Sequence, residues 1–234
     1  MNIPSLPHRW LLTPRQAIAL QKQLARQVVQ TPGDREIRLV AGLDAAFSPD
    51  GSYCLAGVVL WDVREKTLRE IHTAARLVFF PYIPGLLSFR ETPALLAALR
   101  KLKAMPDVLM CDGQGLAHPR RFGLACHVGV LCDRPALGCA KSRLIGAYQE
   151  PDSRLGSREP LTEKGETIGA VLRTQHGLKP VFVSIGHRMN LDLAERIVLD
   201  CATRYRLPEP TRLADQLVAR AKRQFVLAAS IPSR

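Results

Sequence analysis

The chain has 234 residues, 47% of them hydrophobic, and 33 Lys and Arg against 21 Asp and Glu give a net charge of +12. A chain this long can bury a full core as one α/β domain over residues 1–234; with no apolar run of ~18 residues and no charged-then-apolar leader, a soluble, cytoplasmic protein is expected and a membrane protein is not. The cationic surplus is spread along the sequence and makes a polyanion the first partner to expect, because phosphate contacts by Lys and Arg supply most non-specific nucleic-acid affinity.

In chain order, Thr13 is placed to cap, and Pro14 to open, an amphipathic helix running to residue 29. Residues 38–47, 53–62 and 68–78 read as three strands separated by Pro49-Asp50-Gly51 and by a charged turn at 64–66, spacings that predict an antiparallel meander. A helix over 88–103, a strand over 108–112, a helix near 121–131 and strands over 136–140 and 181–185 follow. A meander followed by βα units predicts a mixed sheet with helices on its faces and a site at the carboxyl ends of the parallel strands. Residues 147–166, with three charged clusters, two Pro and two Gly, read as a surface loop. Residues 211–224 read as a helix carrying Arg212, Asp215, Arg220, Lys222 and Arg223, either a basic face beside a substrate groove or a solvated one. The six cysteines, Cys54, Cys111, Cys126, Cys132, Cys139 and Cys201, form no Cys-x-x-Cys pair or zinc spacing and read as buried free thiols in a reducing compartment.

Two carboxylates stand out because their surroundings are apolar. Asp44 lies inside the run 39–47 and Asp112 ends the run 107–112. An ionised carboxylate on a buried strand costs several kcal/mol, roughly, unless a partner such as a cation compensates it. Together they suggest a metal site, while either alone also fits a strand-end Asp that starts a turn. Glu91 is a third acid, although Ser88-Phe-Arg-Glu91 equally fits a capping box with Glu91 at its third position. Just before it, Pro81 and Pro84 stiffen a segment around Tyr82, which would hold the ring out as a stacking wedge or fold it over the core at a strand-to-helix turn. There is no G-x-x-x-x-G-K-[ST] loop and no G-x-G-x-x-G turn, which argues against a nucleotide-hydrolysing enzyme.

Residues 81–91, 112–124, 138–144 and 179–188 resemble the motifs of the endonuclease V family, whose four hallmark blocks stand here in order as PYIPGLLSFRE (81–91), DGQGLAHPRRFG (112–123), GCAKSRL (138–144) and RLPEPTRLAD (206–215), and Gly169-Ala-Val-Leu-Arg173 with Lys179-Pro180 is also similar. The likeness spans roughly residues 39–215. It implies an RNase H-like mixed sheet flanked by helices, and a Mg2+-dependent endonuclease, with Mn2+ as a substitute, that nicks DNA at the second phosphodiester bond 3′ of deoxyinosine. By the resemblance the metal-binding acids fall on Asp44, Glu91 and Asp112 with Asp215 as a fourth, and the active-site lysine on Lys141. Tyr82 matches the wedge aromatic, with Pro81, Ile83, Pro84 and Arg90 around it, and His118 a residue beside the scissile strand. Gly113, Gly115 and Gly123, around Leu86 and Leu144, could let a flipped base approach the backbone, or serve tight turns and helix packing. The expected partner is deoxyinosine-containing DNA bound by a monomer. Inosine-containing RNA is the alternative substrate, and a non-catalytic nucleic-acid-binding protein on the same architecture is the alternative class.

Overall fold

The computed structural model describes residues 1–4, 7–34 and 36–229. Strands β1 (Leu39–Phe47), β2 (Tyr53–Asp62) and β3 (Thr67–Leu77) form the expected antiparallel meander, and β4 (Val108–Cys111) and β5 (Ala136–Ala140) continue the sheet parallel to β1. The far half departs from the βα expectation. Strand β8 (Val181–His187) runs antiparallel to β5, followed outward by β7 (Glu166–Leu172) and β6 (Arg158–Glu163), so one eight-stranded sheet has the order β3-β2-β1-β4-β5-β8-β7-β6. It is a mixed RNase H-like sheet with a meander at each end.

Helices α1 (Pro14–Ala25), α2 (Ser88–Leu99) and α3 (Leu124–Cys132) cover one face, while α4 (Leu191–Cys201) and α5 (Glu209–Ala229) cover the other. Alternation along the strands divides the core accordingly: Ala41, Leu43, Leu109 and Cys111 pack toward α2 and α3, and Val40, Val108 and Met110 toward α4. The helix α1 begins as read, with a capping box between Thr13 and Gln16, but ends four residues earlier than its pattern suggests. All six cysteines are buried and free.

Three sequence expectations are corrected. Part of the stretch 147–166 read as a loop is strand β6, joined to β7 by Lys164 and Gly165, whose φ of 53° and 81° form a tight hairpin. Its charges and Pro160 suit an edge strand, where one face and one rim meet water, and that composition imitates a loop. The helix α4 was not anticipated, although Asn190 caps it by accepting a hydrogen bond from Leu193 N at 2.8 Å. Glu91 is not part of a capping box: the N-cap is Leu87, no side chain caps the helix, and Ser88 Oγ instead lies 3.0 Å from His127 Nδ1.

Candidate functional site

The parallel trio β1, β4 and β5 determines where the chemistry-bearing residues meet. Leu43 pairs with Cys111 in parallel register and Asp112 N donates to Leu43 O at 2.8 Å, so Asp44 and Asp112 are next neighbours whose side chains leave the same face. Lys141 directly follows β5, and Asp215 comes from the second turn of α5. Glu91 enters from the first turn of α2, and its side chain is buried, 8% exposed. Carboxylate oxygens of Asp44, Asp112 and Asp215 lie within 4.8 Å of one another. Lys141 Nζ bridges two of them, 2.6 Å from Asp112 Oδ2 and 2.7 Å from Asp215 Oδ1.

Electrostatics at the cluster are unbalanced. Burial, then the charge of Asp112, pushes Asp44 up to about 7, against the Ala45 N–H and Lys141. Glu91 rises to about 8 through burial, then through Asp44 and Asp112, with Arg90 opposing. Burial also raises Asp112, despite its hydrogen bond from Lys141. Lys141 is partly desolvated, yet its two carboxylate partners hold it above the ordinary lysine range. One ammonium therefore serves Asp112 and Asp215 directly and Asp44 at longer range, and Glu91 lies beyond its reach. A compact, oxygen-only, negatively charged donor set suits a hard divalent cation, so Asp44, Asp112 and Asp215 fit such an ion; Glu91 is close enough to feel the charges of Asp44 and Asp112 but lies outside that trio.

Beside the acids opens a cavity of about 410 Å³, lined among others by Tyr82, Ile83, Pro84, Glu91, Asp112, Gly113, His118, Gly123, Lys141 and Leu144. Its rim is an arch over residues 81–85. Gly85 has φ +78°, and its carbonyl gathers hydrogen bonds from His118 Nε2 at 3.1 Å, Arg120 Nη2 at 2.6 Å and Gln21 Nε2 at 3.1 Å. That clamp and the two prolines leave Tyr82 70% exposed at the crest, standing out from the surface and not covering the core. His118 receives Arg120 N at Nδ1 and donates from Nε2, which fits a neutral ring; burial and then Arg120 lower it to about 4.

The structure does not bring every singled-out residue to the cavity. Leu86 is buried with Phe80 and Phe89 beneath the arch, and Gly115 backs onto Ile185, whose carbonyl oxygen would lie 2.0 Å from an added Cβ. Gly123 lines the cavity, but its missing Cβ also makes room for the Gln114 carbonyl, at 2.2 Å. Pro81 is exposed outside the cavity, and Arg90 stacks its guanidinium over Phe47 at 4.4 Å and Tyr82 at 5.8 Å. Two positions escaped the sequence reading. Gln114 lines the cavity, with Nε2 donating to Ser142 O at 3.0 Å and a buried Oε1 that has no partner; a polar residue inside a buried Gly-x-Gly turn was its only signal. Arg206 braces the strand end by donating from Nη2 to Lys141 O at 2.5 Å and Pro180 O at 2.8 Å; in the sequence it figures only as the first residue of the 206–215 block.

Comparison with known proteins identifies the family. The endonuclease V family model matches residues 22–216. The endonuclease V of Trichormus variabilis is 49% identical over 214 residues, covering 91% of this chain and 97% of that protein. That of Methanothrix thermoacetophila is 50% identical over 207 residues, 88% of this chain and 91% of that protein. The crystal structure of the Streptomyces avermitilis endonuclease V superposes with a TM-score of 0.89 at 42% identity, covering 94% of this chain and 98% of that one. Ciona intestinalis endonuclease V, in complex with a 24mer DNA containing an inosine followed by a ribo-adenosine, superposes with a TM-score of 0.77 at 26% identity, covering 89% and 97%. With the matched span enclosing all four acids and Lys141, the chain belongs to the endonuclease V family of nucleases.

Proposed function

We propose that the protein is a Mg2+-dependent DNA-repair endonuclease that hydrolyses the second phosphodiester bond 3′ of a deoxyinosine, leaving a 3′-hydroxyl and a 5′-phosphate. The observation that carries this reading is the meeting of three carboxylates and one lysine, with the buried Glu91 behind them, beside a cavity whose rim lifts an aromatic clear of the surface. The inosine-containing DNA held by the Ciona intestinalis relative supports the substrate class.

Asp44, Glu91, Asp112 and Asp215 would hold the ion. Bound there, a divalent cation supplies charge that polarises a phosphate and acidifies a water. Lys141 keeps Asp112 and Asp215 aligned, and an ammonium has three N–H groups, of which these two contacts use two. The third is free to meet a phosphate oxygen as charge develops. The neutral His118 fixes the arch through Gly85, so that Tyr82 can fill the space left by an extruded base.

The test is strand cleavage of end-labelled DNA carrying one inosine, beside its undamaged twin and the matching RNA, with Mg2+ and with EDTA. A Mg2+-dependent nick one nucleotide 3′ of inosine, lost in Asp112→Asn with lesion binding retained, is expected. Preference for the RNA would move the substrate to inosine-containing transcripts. Binding without cutting on any substrate would overturn the catalytic reading.

A further inference from the structure

Resting on that reading of the substrate, we propose that a second groove takes the strand opposite the lesion when the DNA is double-stranded. The groove encloses about 670 Å³. It lies across the arch from the acidic cavity: Tyr82 to Gly85 line the cavity while Phe79 and Phe80, just before them, line the groove. The first turns of α2 divide in the same way, with Leu87, Ser88 and Glu91 on the cavity side and Phe89, Arg90 and Pro93 on the groove side. An aromatic wedge on that divide separates two strands, so a lesion strand drawn into the cavity leaves its partner strand on the groove side.

The chemistry of the groove matches that occupant. Arg9, Arg76, Arg90 and Arg100 line it and no acidic residue does. Among the described residues none of these four guanidinium groups is in an ion pair, and Arg90 Nε is buried without a hydrogen-bond partner. Four unpaired cations around one concavity repel one another, and a phosphate backbone relieves that repulsion with release of counterions. Between them Phe79 is 70% exposed beside the arch, a flat ring left in water at the place where a base that has lost its partner needs a stacking surface. Arg90, stacked against Tyr82 while lining the groove, joins wedge and groove into one surface.

The experiment compares the wild type with Phe79→Ala and with Arg76→Ala/Arg100→Ala. All three altered residues are exposed, and unchanged melting temperatures verify that the variants fold. Binding in EDTA and nicking with Mg2+ are measured on an inosine-containing single strand and on the same strand annealed to a complement with 2-aminopurine opposite the inosine. On the single strand the variants should match the wild type. On the duplex, Phe79→Ala should bind about tenfold more weakly and lose the change in 2-aminopurine emission that the wild type induces. The double variant should flatten the slope of log K against log salt by roughly two. Equal losses on both substrates would assign the groove to the lesion strand, and no loss on either would leave it outside nucleic-acid binding, as for an acidic peptide partner; each result overturns the proposal. A wild type that nicks normally beside such variants removes the groove assignment alone, whereas a wild type that nicks neither substrate removes the reading on which it rests.

Discussion

Replacing Glu91 by Gln should stabilise the metal-free protein while disabling it. In the folded chain Glu91 is buried and holds its proton up to about 8, chiefly through burial and then through Asp44 and Asp112, against an ordinary value of 4.5. An unfolded glutamate ionises near 4.5, so between about pH 4.5 and 8 the folded form binds the extra proton, and stability falls as pH rises through that window. At about 1.4 kcal/mol per pH unit the interval caps the cost near 5 kcal/mol. The repulsion is shared with two other acids that relax by taking up protons themselves, so about 2 kcal/mol is the expected gain for Glu91→Gln at pH 8. For a chain of this size that is a rise in melting temperature of roughly 4–8 °C. The assay is thermal unfolding in EDTA from pH 5 to pH 9: the difference should vanish near pH 5 and grow with pH. Adding Mg2+ should stabilise the wild type more than the variant, and nicking should fall by about a hundredfold or more. A variant less stable than the wild type at pH 8, or a difference independent of pH, would refute the claim that Glu91 is an uncompensated buried acid.

Other outcomes follow from the same geometry. His127 is wholly buried, and burial followed by the neighbouring His8 lowers it to about 3. Its stabilising neutrality is complete above the unfolded value of 6.5 and is lost as pH falls toward 3, so His127→Gln should flatten the acid limb of stability by up to about 1.4 kcal/mol per pH unit in urea titrations. Gly115→Ala should cost about 3 kcal/mol, because the new Cβ meets the Ile185 carbonyl at 2.0 Å and that oxygen also accepts Leu116 N at 2.8 Å, so it cannot yield; a neutral urea midpoint would contradict it. Tyr82→Ala should leave the melting temperature unchanged, since the ring is exposed, yet reduce discrimination between inosine and undamaged DNA about tenfold; equal loss on both substrates would remove the wedge assignment.

The sequence by itself determined the periodic and covalent parts of this protein. Strand-like runs bounded by turn residues specified β1 to β3 to within a residue, and Thr13-Pro14 specified the start of α1, because these depend on neighbours within a few positions. Asp44 and Asp112 were visible as single charges in runs that must be buried, and the two prolines around Tyr82 declared a stiff segment before any contact was known. The tertiary structure alone decided what depends on partners far along the chain. Glu91 satisfied a local capping pattern, and only the packing of α2 against the sheet turned it into a buried member of the acid cluster. Strand β6 looked like a loop because an edge strand is polar, and the antiparallel course of β8 follows from pairings that leave no local mark. Lys141 bonds Asp215 across 74 positions and Arg206 braces Lys141 across 65. Such contacts cost chain entropy that only the finished sheet repays, which is why residue types could be read from local pattern while their meeting was implied only by the family resemblance.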